Sequence, residues 1–131
     1  MASMREGISH YPMSIEIAGG NLRKAWQAGV PLVTGSGAGN FLVLHGPTVQ
    51  HEIELWVQAG IPIDVALQAA TSNAAKVLRA DARFGTVEVG KEATLLVVDG
   101  NPLQDVQALS AISVVMMKGE RVVRTDLFKQ K

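Results

Sequence analysis

The stretch Gly29–Gly39, which reads G-V-P-L-V-T-G-S-G-A-G, decides the fold of this 131-residue chain. Residues 30–34 are mostly apolar and β-branched, which predicts a short buried strand. Glycines at positions 35, 37 and 39 predict a tight loop directly after it, because glycine adopts backbone conformations that other residues resist. Ligands of α/β proteins bind where the carboxyl end of a strand opens into a loop. The stretch therefore marks a candidate site.

Helical patterns flank this strand on both sides. The helix before it contains two adjacent glycines, so Asn21 is the predicted N-cap of a firmer second half. Thr48 is the predicted cap of the first helix after the loop, and Thr71 the predicted cap of a last helix that buries Leu78. The predicted helices span Met13–Ala28, Val49–Ala59, Ile63–Ala70 and Ser72–Arg79.

Strand patterns follow the helices. Leu95–Val98 is apolar throughout and predicts a buried strand, which Asp99–Pro102 ends in a turn. Ile112–Met117 predicts a second strand, and Lys118–Arg121 predicts a reversal into a hairpin with Val122-Val123. Helices interleaved with and followed by strands indicate the α/β class.

Three motifs together resemble the amidohydrolase superfamily, in its imidazolonepropionase-like and prolidase-like branch. V-P-L-V-T-G-S-G-A-G (residues 30–39) is similar to the motif on the last barrel strand of that family. A-L-Q-A-A-T-S-N-A-A-K-V-L (66–78) resembles the helix that follows this strand. F-G-T-V-E-V-G-K-E-A (84–93) is similar to the segment that crosses into the β-sandwich. The resemblance covers residues 20–124.

The resemblance implies both a fold and an activity. The fold class is α/β, a fragment of a TIM-barrel amidohydrolase with the last barrel strand and its helices, plus part of the adjacent β-sandwich. It divides the chain into an N-terminal arm (1–12), a partial barrel (13–84), β-sandwich strands (85–125) and a polar tail (126–131). Family enzymes use a divalent metal such as zinc to hydrolyse C–N bonds, including dipeptide-like ones.

The glycine motif departs from the family at one position. The family motif reads glycine, threonine, aspartate, alanine, glycine, so Ser36 matches the threonine and Gly37 matches the metal-binding aspartate. The family's His-x-His pair, its bridging lysine and its two further histidines have no counterpart among the three histidines here. We therefore expect no catalytic residue, no metal ligand and no bound cofactor in this chain alone.

The residues of the loop remain candidates for a pocket. These are Gly35, Ser36, Gly37 and His45, the last because a His-Gly pair after this strand is similar to the family. Ser36 directly follows a glycine, which does not fit the G-x-S-x-G spacing of a nucleophile elbow. No lysine follows the glycines as a phosphate-binding P-loop requires.

A second group of residues has the spacing of metal ligands. His51 and Glu54 are three residues apart on a predicted helix, and His45 and Glu52 are close in sequence. The alternative interpretation is that His51, Glu52 and Glu54 form the polar face of an amphipathic helix, opposite Ile53 and Trp56.

Composition limits the partners. Lysine plus arginine balance aspartate plus glutamate at 12 each, so nucleic acid and anionic membranes are not expected partners. The sequence shows no signal-peptide pattern and no membrane-length apolar run, which predicts a cytoplasmic protein. A partial barrel would leave strand edges and helix faces uncovered, so we expect a homo-oligomer or a complementary barrel chain as partner.

Three functions agree with these patterns. The first is a metal-dependent hydrolase of C–N bonds that needs a partner chain for its ligands. The second is a non-catalytic module that folds by oligomerising. The third binds a small molecule, with the glycine loop and Phe41–Leu44 as a pocket wall.

Overall fold

Four helices precede a small antiparallel sheet in the computed structural model, which describes residues 14–40, 43 and 45–123. The predicted arm, the predicted tail and most of the Phe41–Leu44 wall lie outside these residues. The elements in chain order are α1 (Ile15–Gln27), α2 (Thr48–Gln58), α3 (Ile63–Ala70), α4 (Ser72–Val77), β1 (Leu95–Val98), a 3-10 helix (Val106–Ser110), β2 (Ile112–Met117) and β3 (Glu120–Arg121). The mixed helix and strand content agrees with the predicted α/β class.

Helix α1 is continuous, so the prediction of a new start at Asn21 was wrong. Ser14 caps the helix, and its hydroxyl oxygen accepts the N–H of Ile17 at 3.1 Å. The glycine at position 19 is explained by packing, because a Cβ there would lie 2.9 Å from the Cβ of Ala59 on α2. Close contact with α2 therefore offsets part of the cost of glycine in a helix.

The predicted buried strand at residues 30–34 was wrong in two respects. Within the described ranges these residues form no ladder with another strand, and Val30 and Val33 are exposed. Two hydrogen bonds tie the segment to the helices instead. The N–H of Thr34 donates to the carbonyl of Ala69 at 3.3 Å, and the side-chain amide of Asn73 donates to the carbonyl of Leu32 at 3.1 Å. An apolar run becomes a strand only where a second strand accepts its backbone bonds.

The ranges of the helices after the loop are close to those predicted. The residues that cap these helices differ from the predicted ones. Helix α3 has the predicted bounds, but α2 begins at Thr48 itself, with Pro47 as its N-cap. The hydroxyl of Thr71 donates backwards to the carbonyl of Leu67 at 2.7 Å and does not cap α4. Helix α4 ends at Val77, so Leu78 is 70% exposed and the prediction that it is buried was wrong.

The core lies between α2, α3 and the 3-10 helix. Small residues on α3 allow α2 to approach closely, because Ala66 and Ala69 are fully buried. The 3-10 helix, which the sequence analysis did not anticipate, contributes Leu109 to the same cluster. The buried cluster consists of Ile53, Trp56, Ile61, Ala66, Ala69 and Leu109.

The sheet has the order β1-β2-β3 with antiparallel pairing. Strands β1 and β2 confirm the predicted ranges, with Leu95 opposite Met116. The hairpin is tighter than predicted, since Lys118 and Gly119 form the turn and β3 already begins at Glu120. The expectation that β1 is buried was wrong, because Leu96 and Val97 are about half exposed. The boundaries of the predicted domains remain a prediction.

Candidate functional site

A carboxylate on α2 holds the start of the glycine loop. The backbone N–H of Gly35 lies 3.0 Å from Oε1 and 3.1 Å from Oε2 of Glu52, and donates to both oxygens. Glu52 is half-buried, so this charge-assisted bond is partly shielded from water. Seventeen residues separate the two partners, and no sequence pattern marks the pairing. Sequence analysis therefore missed Glu52 as the anchor of the loop.

The loop then closes on its own backbone. Gly37 has a φ of +63°, and its carbonyl accepts the backbone N–H of Asn40 at 3.1 Å and the Asn40 side-chain amide at 2.9 Å. The N–H of Gly39 donates to the carbonyl of Val43 at 3.1 Å. A Cβ added at Gly37 would lie 3.2 Å from Nδ2 of Asn40. Because Gly39 also has a positive φ, of +100°, the turn favours glycine at positions 37 and 39.

His45 lies against this loop. Its Nε2 is 3.5 Å from the position that a Cβ on Gly39 would occupy. His45 therefore lies beside Gly39 of the loop that also contains Gly35, Ser36 and Gly37, at the end of residues 30–34 where the sequence analysis expected the candidate site. Three of the four are exposed and Ser36 is half-buried. Their role in binding remains a prediction.

The donor groups of this region do not fit a catalytic metal. His51 Nδ1 lies 3.3 Å from Glu54 Oε2 on the same helix, so these two are paired as the spacing indicated. The carboxylate of Glu52 is directed to Gly35. Across the described ranges, no three histidine, aspartate or glutamate side chains converge as metal ligands. A catalytic zinc needs about three protein ligands at one point.

A groove of about 540 Å³ lies between α1 and α2, and we call it the α1–α2 groove. Leu22 on α1 and Leu55 and Trp56 on α2 supply apolar walls. Three charged side chains also line it: Glu16, Arg23 and Glu52. Glu52 therefore connects the groove with the glycine loop. Among the described residues, no helix is both long enough and apolar enough to cross a membrane.

Comparison with known proteins identifies the family of this fold. A model of the amidohydrolase family matches residues 2–122. A Xaa-Pro dipeptidase with methionine bound in its active site superposes with a TM-score of 0.72 at 34% sequence identity, over 79% of this chain and 25% of that chain. A putative prolidase from Bifidobacterium longum gives 0.71 at 39% identity, over 78% and 25%. Molinate hydrolase gives 0.69 at 25% identity, over 80% and 26%.

The chain spans about a quarter of the length of these solved structures. No protein with a curated description matches it. The family match extends over nearly the whole chain and agrees with the three motifs at residues 30–39, 66–78 and 84–93. The two prolidase-like structures exceed 30% identity over more than three quarters of the chain. On this evidence, the chain belongs to the amidohydrolase family.

Proposed function

We propose that this chain is the carboxyl-terminal part of a prolidase-like amidohydrolase fold, and that it does not hydrolyse its substrate alone. In this proposal it supplies the last barrel strand with its helices and part of the β-sandwich. The metal ligands come from the part of that fold that these residues do not include, and the completed fold hydrolyses C–N bonds of the Xaa-Pro dipeptide type. The names of two similar structures, an Xaa-Pro dipeptidase and a putative prolidase, support this substrate class.

One observation carries the proposal. Gly37 stands where the family motif has its aspartate, and it lies in a closed turn with no side chain to offer. A metal-dependent hydrolase needs a carboxylate there to hold the metal and to accept the proton of the attacking water. Glu52, on α2, has a different role, since both of its oxygens accept the N–H of Gly35. The isolated chain therefore lacks the group on which the catalytic step depends.

The first experiment is a hydrolysis assay. The purified chain is incubated with a Met-Pro dipeptide and either zinc or manganese, and release of free proline is measured. We expect no release above the rate of a metal-only blank. Metal-dependent release of proline by the wild-type chain would contradict the proposal directly.

The second experiment restores the carboxylate. The backbone of Gly37 lies in the left-handed region, which aspartate and asparagine tolerate better than other residues with a side chain. Gly37→Asp and Gly37→Asn therefore form a matched pair that differs only in charge. In a mixture with the metal-binding part of a prolidase-like barrel, we expect calorimetry to detect tighter zinc binding with Gly37→Asp than with Gly37→Asn or the wild type. Equal zinc affinity in all three proteins would show that position 37 is irrelevant to metal binding.

A non-catalytic assembly module is the alternative function. The observation that favours it is the α1–α2 groove, an open surface with apolar walls. Such surfaces on folded chains commonly serve as contacts with another protein. The two functions make different predictions for a mixture with the metal-binding part of a prolidase-like barrel, because only the first predicts recovered hydrolysis.

A further inference from the structure

The α1–α2 groove carries opposite charges on one helix. Glu16 and Arg23 both line it, and they lie seven residues apart on α1. Seven residues are about two helical turns, so the two side chains share a face and lie roughly 10 Å apart along the axis. The apolar walls at Leu22, Leu55 and Trp56 belong to the same groove. The surface therefore combines an acid, an apolar centre and a base.

Neither charge is neutralised by an opposite charge within the described part of the chain. The ion pairs found there involve other residues, and neither Glu16 nor Arg23 takes part in one. Within the helix, ion-pair partners would lie three or four residues away, and the residues at these positions between Glu16 and Arg23 are Gly19 and Gly20, while those after Arg23 are Trp26 and Gln27. The backbone and the hydroxyl of Ser14 lower the pKa of Glu16 by hydrogen bonding, so its carboxylate is charged at neutral pH.

Glu52 is the third charged residue in the groove, and it already has a partner. Both of its oxygens accept the N–H of Gly35. It is therefore less available to an incoming group than Glu16. The charges that the groove offers to another molecule are Glu16 and Arg23.

We propose that the α1–α2 groove is the contact surface of a homodimer, in which α1 of each protomer lies antiparallel to α1 of the other. A twofold axis then passes midway between positions 16 and 23, beside Gly19 and Gly20. Each Glu16 faces the partner's Arg23, which forms two equivalent ion pairs around an apolar centre. In such a contact the same surface of both subunits must complement itself, and this order of charges does so when it is rotated by 180°.

The lengths of the two helices limit the size of the interface. Helices α1 and α2 contain 13 and 11 residues and are therefore about 20 Å and 17 Å long. Two such helices per protomer form an interface near the lower end of the usual range. We expect a dimer that dissociates at concentrations on the order of micromolar.

Gly20 provides a sharp test of the helix crossing. A Cβ added at Gly20 would meet nothing within 4 Å, so a longer side chain fits the protomer. Replacing glycine inside a helix also favours the helix. Gly20→Gln should therefore leave the protomer folded and prevent close approach of the partner helix. In contrast, Gly19 packs against Ala59 and is unsuitable for this test.

The experiment measures mass by sedimentation over about 1 to 100 µM, with circular dichroism to verify folding. We expect the wild type to change from 13.9 kDa towards twice that mass. Arg23→Glu and Glu16→Arg should each weaken association roughly tenfold, because each creates like charges at two contacts. The double variant Glu16→Arg/Arg23→Glu should restore it. Lys24→Glu is the matched control, since it makes the same charge change on α1 at a residue that does not line the groove.

Several results would overturn the dimer. A wild-type protein that stays at 13.9 kDa up to 100 µM excludes a second copy and leaves a different partner as the occupant. A dimer that is insensitive to Arg23→Glu and Gly20→Gln uses another surface. A double variant as weak as the single ones excludes antiparallel pairing. None of these results depends on hydrolysis, so the dimer and the proposed function can fail separately.

Discussion

The helical part of the molecule (15–77) and the sheet part (95–123) are held together by different forces. The helical part contains Ile53, Trp56, Ala66, Ala69 and Ala75, all buried. In the sheet part, no residue of the three strands is buried, and Leu109 of the 3-10 helix is the one buried residue among those described. The first region is stabilised mainly by apolar packing, and the second mainly by backbone pairing between β1, β2 and β3.

This difference indicates that the helical part determines the stability of the molecule and that the sheet part depends on it. Leu109 lies in the connection between β1 and β2 and packs into the helical core. The sheet is therefore attached to the helices through this connection. A perturbation of the helical core should reach the whole molecule, whereas one on the sheet surface should remain local.

The largest expected effect comes from Ile61→Ala. Ile61 is 2% exposed in the centre of the helical core, so truncation leaves a cavity. We expect the free energy of unfolding to fall by about 3–5 kcal/mol. Leu96→Ala removes a similar side chain from β1, where it is 49% exposed, and should cost less than about 1.5 kcal/mol. Urea denaturation of both variants measures the difference, and equal losses would contradict the comparison.

The next effect concerns the junction between the two parts. Gly85 has a φ of +101°, and a Cβ there would lie 2.5 Å from the Cβ of Ala75 on α4. Gly90 has a similar φ of +92° but has open space around it. Gly85→Ala should therefore cost about 1–3 kcal/mol more than Gly90→Ala, because overlap adds to the same backbone strain. Comparing the melting temperatures of Gly85→Ala and Gly90→Ala isolates the cost of the overlap with Ala75. Identical melting temperatures would show that α4 does not pack against Gly85.

A smaller effect is expected where the helical part holds the glycine loop. Glu52→Ala removes the hydrogen bond to the N–H of Gly35, which is exposed and can bind water instead, and should cost about 0.5–1.5 kcal/mol. Glu54→Ala, two residues away on the same helix, removes only a pair with exposed His51 and should cost less than about 1 kcal/mol. Hydrogen exchange of the Gly35 amide should accelerate in the first variant alone. Unchanged exchange would show that Glu52 does not anchor the loop.

The smallest effect lies between the two parts, in an exposed ion pair. Arg83 Nε is 2.7 Å from Glu92 Oε1, and this hydrogen bond lowers the pKa of Glu92 below its ordinary value of 4.5. Since the folded pKa is the lower one, the pair stabilises the protein above pH 4.5 and loses its effect as pH falls through the folded pKa. Glu92→Gln should therefore be slightly less stable than wild type at pH 7, and this difference should shrink as the pH falls below 4.5. A difference that grows with acidification would refute this.

Sequence patterns predicted the parts of the fold that depend on local spacing. Helix α3 and strands β1 and β2 have the expected ranges, because apolar periodicity and the residues that end them are local. The segment at residues 30–34 failed as a strand because a ladder depends on a second segment, which the described residues do not provide. Helix α1 continues through its two adjacent glycines because Ala59, which is distant in sequence, packs against Gly19.

The sequence predicted the position of the candidate site but not the contacts within it. The glycine spacing located the loop, and the family motif identified position 37 as the missing carboxylate. The bond from Gly35 to Glu52 and the contact of His45 with Gly39 depend on how α2 docks, which no local pattern encodes. Likewise, the α1–α2 groove arises from two helices that the sequence analysis treated one at a time.

The measurement that most directly tests the central claim is the metal content of the purified wild-type chain. Elemental analysis against protein concentration, after incubation with zinc and removal of free metal, should give far less than one metal per chain. This result would agree with a glycine at position 37 and with Glu52 bound to Gly35. About one zinc per chain, lost on His45→Ala or His51→Ala, would mean that other ligands replace the missing carboxylate, and would contradict the claim that the chain cannot form a catalytic centre alone.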